Sequence, residues 1–220
     1  MRIAGELSNG LLIAFEGIDG SGTTTQAQRY AAHLRARRRL VHVTREPSGG
    51  PVGSLLRLVL THRLALPAGH HAETMALLFA ADRLDHNAAE IMPLLRDGYV
   101  VITDRYDLSS LTYQATVALE EGHDEASMLR WIRELNRHAR RPDVTLVLDV
   151  DPEVAAQRRK GRGGAHELFD EAELQARLAV AYRRAEYLVP GDRLVHLDGN
   201  RDPESIAREI AAALEPFLDR

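Results

Sequence analysis

The chain has 220 residues and no cysteine, which excludes a disulfide framework and thiolate chemistry and fits a reducing compartment. It also lacks surplus positive charge. With 28 Lys plus Arg against 32 Asp plus Glu, the formal net charge is −4, so no global basic field exists to hold a polynucleotide, and nucleic acid is not expected as a partner. Long apolar runs are absent as well. The stretch Leu11 to Phe15 is too short for a signal h-region or a membrane span, so the expectation is a soluble cytoplasmic protein with no membrane partner. Ten histidines are present, but none forms an HExxH pair, and adjacent His70 and His71 point to different faces of any helix, so no metal-ligating pattern emerges.

What is present is a repeated alternation. Five short apolar runs, LLIAF (11–15), LVHVT (40–44), YVVIT (99–103), VTLVLDV (144–150) and RLVHL (193–197), have the near-continuous apolarity of strands buried on both faces. Helical stretches separate them: Thr24 to Arg38, Ala72 to Arg96, Glu125 to Arg137, Pro152 to Arg159, Glu171 to Leu188 and Pro203 to Leu218. This pattern predicts an α/β fold, a five-stranded parallel sheet with helices on both faces. The length suits one domain over 1–220, with an N-terminal tail of 1–10 and a lid at about 157–170. Asp151 before Pro152 and Asp202 before Pro203 read as helix starts. Ligands in such sheets bind at the carboxyl ends of the strands, so function is to be sought just after each apolar run.

After the first run stands GIDGSGTTTQ (17–26), a glycine-framed phosphate loop whose usual lysine is replaced by Thr23. Glycines let main-chain amides turn inward around phosphate oxygens, and the following helix N-terminus adds its dipole, which is anion binding without a lysine. Gly17, Gly20, Ser21, Gly22, Thr23, Thr24 and Thr25 form the expected phosphate-binding set, with Thr24 at the position that reaches Mg²⁺. Asp19 inside this loop would be repelled by a triphosphate; it is expected to face a hydroxyl of a second substrate, the alternative being an Asx-turn on its own backbone.

Four further stretches fit around the loop. TREPSGG (44–50) offers Arg45 as a fork for a phosphate and Pro47 as a stiffener, or else Arg45 pairs with Glu46 in a turn. DRYDLSSLTYQ (104–114) offers Asp104 to hold Mg²⁺ or steer the attacking oxygen, and Arg105 to clamp an acceptor phosphate; Asp149 competes for the metal role but precedes a helix start. In MALLFAADRLDH (75–86), Phe79 and Arg83 share a helix face and suit a flat base with carbonyl edges, although Phe79 alone also reads as core. QRRKGRGGAHELFD (157–170) sets Arg158, Arg159, Lys160 and Arg162 beside glycines, the composition of a lid that closes over phosphates. Arg35 and Arg37 to Arg39 lie roughly 16 Å or more along the helix from Thr24 and are expected to serve only its C-terminus.

Taken in order, FEGIDGSG, TREP, LLFAADR, DRYDLSSLTYQ, PDVTLVLDVDPE and the basic lid resemble a thymidylate kinase from about residue 11 to the C-terminus. The resemblance implies a P-loop NTPase-like three-layer sandwich, ATP with Mg²⁺, transfer of the γ-phosphoryl group to dTMP, and commonly a homodimer. It makes the phosphate-binding set of the loop the ATP-binding set, Asp19 the contact to the sugar 3′-hydroxyl, Arg45 and Arg105 the holders of the dTMP phosphate, and Phe79 and Arg83 the readers of thymine. Pro47, Ser109, Tyr113 and Gln114 then complete the acceptor pocket, Tyr113 crowding the space of a ribose 2′-hydroxyl. Asp104, Arg158, Arg159 and Arg162 become the catalytic residues, with Thr24 and Asp104 at the metal. Two departures stand out: Thr23 in the loop, and Leu168 where some relatives carry an arginine in the lid. They leave open two other readings, a weak or silent nucleotide-binding homologue and a kinase for another deoxynucleotide.

Overall fold

The computed structural model describes residues 10–66, 72–160 and 171–218. Residues 1–9 of the expected tail, His70, His71, Arg162, Leu168 and the 161–170 part of the expected lid lie outside the described residues. All five apolar runs are strands: β1 (Leu11–Gly17), β2 (Val41–Arg45), β3 (Val100–Asp104), β4 (Val144–Asp149) and β5 (Leu194–Asp198). They pair in parallel in the order β2-β3-β1-β4-β5. The helices are α1 (Thr23–Ala36), α2 (Pro51–Leu60), α3 (Ala72–His86), α4 (Met92–Arg96), α5 (Asp107–Glu120), α6 (Glu125–Leu135), α7 (Pro152–Lys160), α8 (Ala172–Tyr182), α9 (Ala185–Leu188) and α10 (Pro203–Leu218).

Strand residues alternate between two buried faces, which is why the runs read as continuously apolar. Ile13 and Phe15 of β1 pack with Leu34 of α1 and Ile210 and Leu214 of α10, while Leu12 and Ala14 pack with Ile91, Leu95 and Tyr106 on the other side. The arginines at the end of α1 join the first of these layers: Arg37 is bidentate to Glu215 at 2.5 and 2.6 Å, and Arg39 donates to the Leu218 carbonyl at 3.2 Å. They therefore tie the end of α1 to α10, beyond the role at the α1 C-terminus that the sequence suggested. Asp202 caps α10, its Oδ1 accepting the amides of Glu204 at 3.1 Å and Ser205 at 3.0 Å.

Sequence periodicity misses or merges some helices. α5 buries Leu108, Ser110, Leu111, Thr112, Tyr113 and Gln114 in succession, so it shows no polar face to mark it. α2, also unanticipated, starts at Pro51, a residue suited to a first helical turn. The single helix expected over 72–96 is broken by a π-helical turn at Asn87–Ile91. Pro93 has no N–H to give and would collide with the carbonyl four residues back, which a widened turn relieves. Asn87 Nδ2 instead takes the Arg83 carbonyl at 2.7 Å. Likewise 171–188 divides at Arg183 into α8 and α9.

From β1 the chain crosses to the β2 edge and returns through β3; it then crosses to β4 and β5 on the other side of β1. The carboxyl end of β1 is therefore the switch point at which such sheets bind ligands.

Candidate active site

At that point residues 17–22 turn from β1 into α1. Gly22 is left-handed (φ 101°) and occupies the N-cap without offering any side-chain cap, and the first turn of α1 has no acidic residue. Its leading amides and dipole are thus left to an external anion. Gly20 is left-handed too (φ 90°), and a Cβ there would stand 2.4 Å from the Ala155 carbonyl oxygen, so the loop lies directly on α7. Thr23 opens α1 and is buried, whereas Thr24 and Thr25 are exposed. Arg158 and Arg159 are on the last turn of α7, so the described part of the expected lid is helical. Arg158 Nη1 donates to the carbonyls of Ser21 at 3.3 Å and Gly199 at 2.9 Å, and Arg159 Nη1 donates to the Asp19 carbonyl.

Thr24 and Asp104 meet across the β1–β3 boundary, the Thr24 hydroxyl donating to Asp104 Oδ2. Among the described residues, Asp104 Oδ1 is buried without a hydrogen-bond partner. A hydroxyl and a carboxylate with a free buried oxygen are the hard donors that Mg²⁺ takes. Asp149, the competing carboxylate, also has a buried Oδ1 without a hydrogen-bond partner among the described residues, while its Oδ2 lies 2.8 Å from His196 Nδ1, a contact that raises the His196 pKa.

Every residue assigned to the acceptor lines one cavity of about 460 Å³: Asp19, Arg45, Pro47, Phe79, Arg83, Arg105, Ser109, Tyr113 and Gln114, with Thr24 at its border. Arg105 adopts a left-handed backbone (φ 72°), unusual without a glycine, and its amide donates to the Phe15 carbonyl at 2.8 Å. Its Nη1 donates to the Gly17 carbonyl at 3.1 Å and to the hydroxyls of Ser109 and Tyr182, both at 3.2 Å, and Nη2 pairs with Asp19. The guanidinium lies 5.1 Å from the Tyr113 ring centre. Burial opposes its charge, but Tyr113 and Asp19 outweigh burial and raise its pKa, so it stays cationic.

Two alternatives from the sequence lapse here. Asp19 does not bond its own backbone as an Asx-turn would; besides Arg105 it accepts from Tyr113 Oη at 3.2 Å and Gln175 Nε2 at 3.0 Å. Nor does Glu46 pair with Arg45. Glu46 Oε2 takes Arg83 Nε and Nη2 at 2.9 and 2.6 Å, leaving Arg45 exposed at the cavity edge. Arg83 is almost completely buried and also donates to Asn136 Oδ1 at 2.6 Å and Ser110 Oγ at 3.2 Å. Phe79 is half-buried, packed beside Leu56 and Met75 while still lining the cavity, so it is both core and wall.

Motif reading passed over several residues that hold these groups, Glu16, Asn136, Gln175 and Tyr182, and gave Glu46 only as a partner for Arg45. Glu16 is fully buried, accepting from the amides of Tyr106 and Ser109 at 2.8 and 3.2 Å, Ser109 Oγ at 2.6 Å and Tyr182 Oη at 3.1 Å. Burial outweighs these donors and lifts its pKa to about 7. A carboxylate ending an apolar strand run was the available signal for it.

A protein-family model of thymidylate kinase matches residues 15–210. The chain belongs to the thymidylate kinase family. It is 40% identical over 222 residues to the thymidylate kinase of Ruegeria pomeroyi, covering 96% of this chain and 97% of that protein. It is 40% identical over 212 residues to a probable thymidylate kinase of Pyrobaculum calidifontis, at 93% and 96% coverage, and 38% over 209 residues to the thymidylate kinase of Dinoroseobacter shibae, at 93% and 96%. Its parallel sheet and glycine loop are those of the P-loop NTPase fold. Among the described residues no helix is long and apolar enough to cross a membrane.

Proposed function

We propose that the chain transfers the γ-phosphoryl group of ATP to dTMP, giving dTDP and ADP. The observation that carries this reading is the placement of Arg105. One nitrogen rests on the Gly17 carbonyl of the donor loop while the guanidinium faces the acceptor cavity, so an acceptor phosphate clamped there stands beside the donor phosphates. In-line transfer then needs positioning and charge stabilisation, with no covalent intermediate.

The amides of residues 17–25 cradle the donor phosphates. Mg²⁺, which fits the Thr24 and Asp104 oxygens, would neutralise charge on the phosphate oxygens when bound. Arg158 and Arg159 supply cationic charge beside the loop in place of a lysine at Thr23, and Arg162 is assigned to the same task. Arg45 and Arg105 hold the acceptor phosphate, and Asp19 accepts from the sugar 3′-hydroxyl. Phe79 stacks on thymine. Arg83 presents its remaining Nη1 hydrogen to a carbonyl, and Gln114, whose Oε1 is buried without a partner among the described residues, accepts from the ring N3–H. Cytosine has no hydrogen at N3 and would leave that oxygen unsatisfied. Tyr113 fills the space of a 2′-hydroxyl, and Ser109 lines the sugar side of the pocket.

The reading extends to a cytoplasmic homodimer. Exposed Leu55 and Leu58 on α2 and Leu77 and Leu84 on the adjacent α3 support a self-association face, which sedimentation would test. Activity is tested by coupled ADP release with dTMP against dUMP, dCMP, dGMP and AMP. Preference for dTMP is expected; equal turnover of all five, or none, rejects the reading.

A further inference from the structure

The sugar-facing carboxylate of the cavity is held from outside both motifs that build the cavity. Gln175 of α8 is fully buried and bonds one residue twice: its Oε1 accepts the Asp19 amide at 3.1 Å, and its Nε2 donates to Asp19 Oδ2 at 3.0 Å. Two turns further along the same helix, Tyr182 Oη meets Arg105, Ser109 and Glu16 at 3.2, 2.9 and 3.1 Å.

The need for such a grip follows from charge. Asp19 is an anion built into an anion cradle, and a carboxylate free to turn about its χ angles would compete with phosphate for the loop amides. Only a side chain that accepts at one atom and donates at another, at this reach, satisfies the Asp19 amide and carboxylate together. Glutamine does so at neutral pH; glutamate would set a second negative charge against Asp19, and leucine would leave the partly buried amide unpaired.

We propose that Gln175 is a positioning residue for acceptor recognition, gripping the main-chain N–H and the carboxylate of Asp19 so that the carboxylate turns out of the donor cradle and toward the acceptor's sugar hydroxyl. The inference rests on dTMP being the acceptor. Its test compares Gln175→Glu and Gln175→Leu with the unaltered protein, using dTMP and 3′-deoxy-dTMP, which lacks the sugar hydroxyl, with melting curves taken in parallel.

The KM for dTMP is expected to rise about tenfold or more in both variants, the scale of a lost buried hydrogen bond, while the KM for 3′-deoxy-dTMP moves less than about twofold. As pH falls, the introduced carboxylate takes up a proton and regains a donor beside its carbonyl, so Gln175→Glu should recover toward the unaltered protein and Gln175→Leu should not. Folded variants that keep the dTMP KM, or that lose both acceptors equally, overturn the inference. If neither variant folds, a crystal structure of the unaltered protein with dTMP decides: an Asp19 carboxylate released from Gln175, or turned away from the sugar, also overturns it. Failure of the unaltered protein to bind or phosphorylate dTMP rejects the functional reading and the inference with it, whereas insensitive variants of an active enzyme reject the inference alone.

Discussion

Arg83 gives Glu46 two hydrogen bonds, from Nε at 2.9 Å and Nη2 at 2.6 Å, with 1% and 2% of the two side chains exposed. Breaking a buried pair from one side strands the other charge, typically at a cost of about 3–5 kcal/mol. Glu46→Ala should therefore destabilise the protein by about that much, and Glu46→Gln, which keeps an acceptor, by less. Urea denaturation of both variants beside the unaltered protein checks this; a Glu46→Gln variant as stable as the unaltered protein would mean that the charge on Glu46 is irrelevant to holding Arg83.

Thr24 donates to Asp104, and the pair is proposed to serve the donor phosphates. Thr24→Val and Asp104→Asn should each lower kcat by about 10²- to 10³-fold, the usual loss for one preorganised contact to developing charge. Calorimetric affinity for dTMP should stay nearly constant. Weakened dTMP binding with kcat intact would move both residues out of the donor site.

Arg158 and Arg159 of α7, with Arg162, are proposed to replace the missing loop lysine. Replacing Arg158, Arg159 and Arg162 together with alanine should reduce turnover by about 10²-fold or more while changing dTMP affinity far less. An unchanged rate removes them from the mechanism. Thr23→Lys gives the complementary test: activity arising from none, with dTMP binding unaltered, would identify the natural chain as a silent nucleotide-binding protein.

Glu16 has a folded-state pKa of about 7 against an ordinary 4.5, because burial disfavours its charge. The folded chain therefore holds this proton more tightly than the unfolded chain. The stability it contributes is complete below about pH 4.5 and is lost as pH rises to about 7. Glu16→Gln, always neutral, should lose less stability across that interval than the natural chain does. Parallel stability curves for the two proteins would contradict the raised pKa.

Much of the architecture was legible because buried parallel strands have no polar face, so each run of apolar residues announced itself, and the motifs that line the cavity follow the strand ends. α5 was illegible as a helix for a related reason: it is buried nearly all round and carries no amphipathic stripe. The π-helical turn at Asn87–Ile91 had one local sign, Pro93, but its placement depends on Asn87 reaching the Arg83 carbonyl at 2.7 Å and Tyr106 Oη at 2.8 Å.

The chain by itself determined the strand–helix alternation, the glycine loop with its threonine, and the stretches whose residues line the cavity, since each of these is written within a dozen neighbouring positions. Only the tertiary structure decided which side chains hold those residues in place. Gln175 meets Asp19 across 156 positions and Tyr182 meets Glu16 across 166, and no local pattern encodes such pairs. Their meeting is a product of sheet order and helix packing, and the restraint on each charged group in the cleft comes from that packing rather than from the motif that carries it.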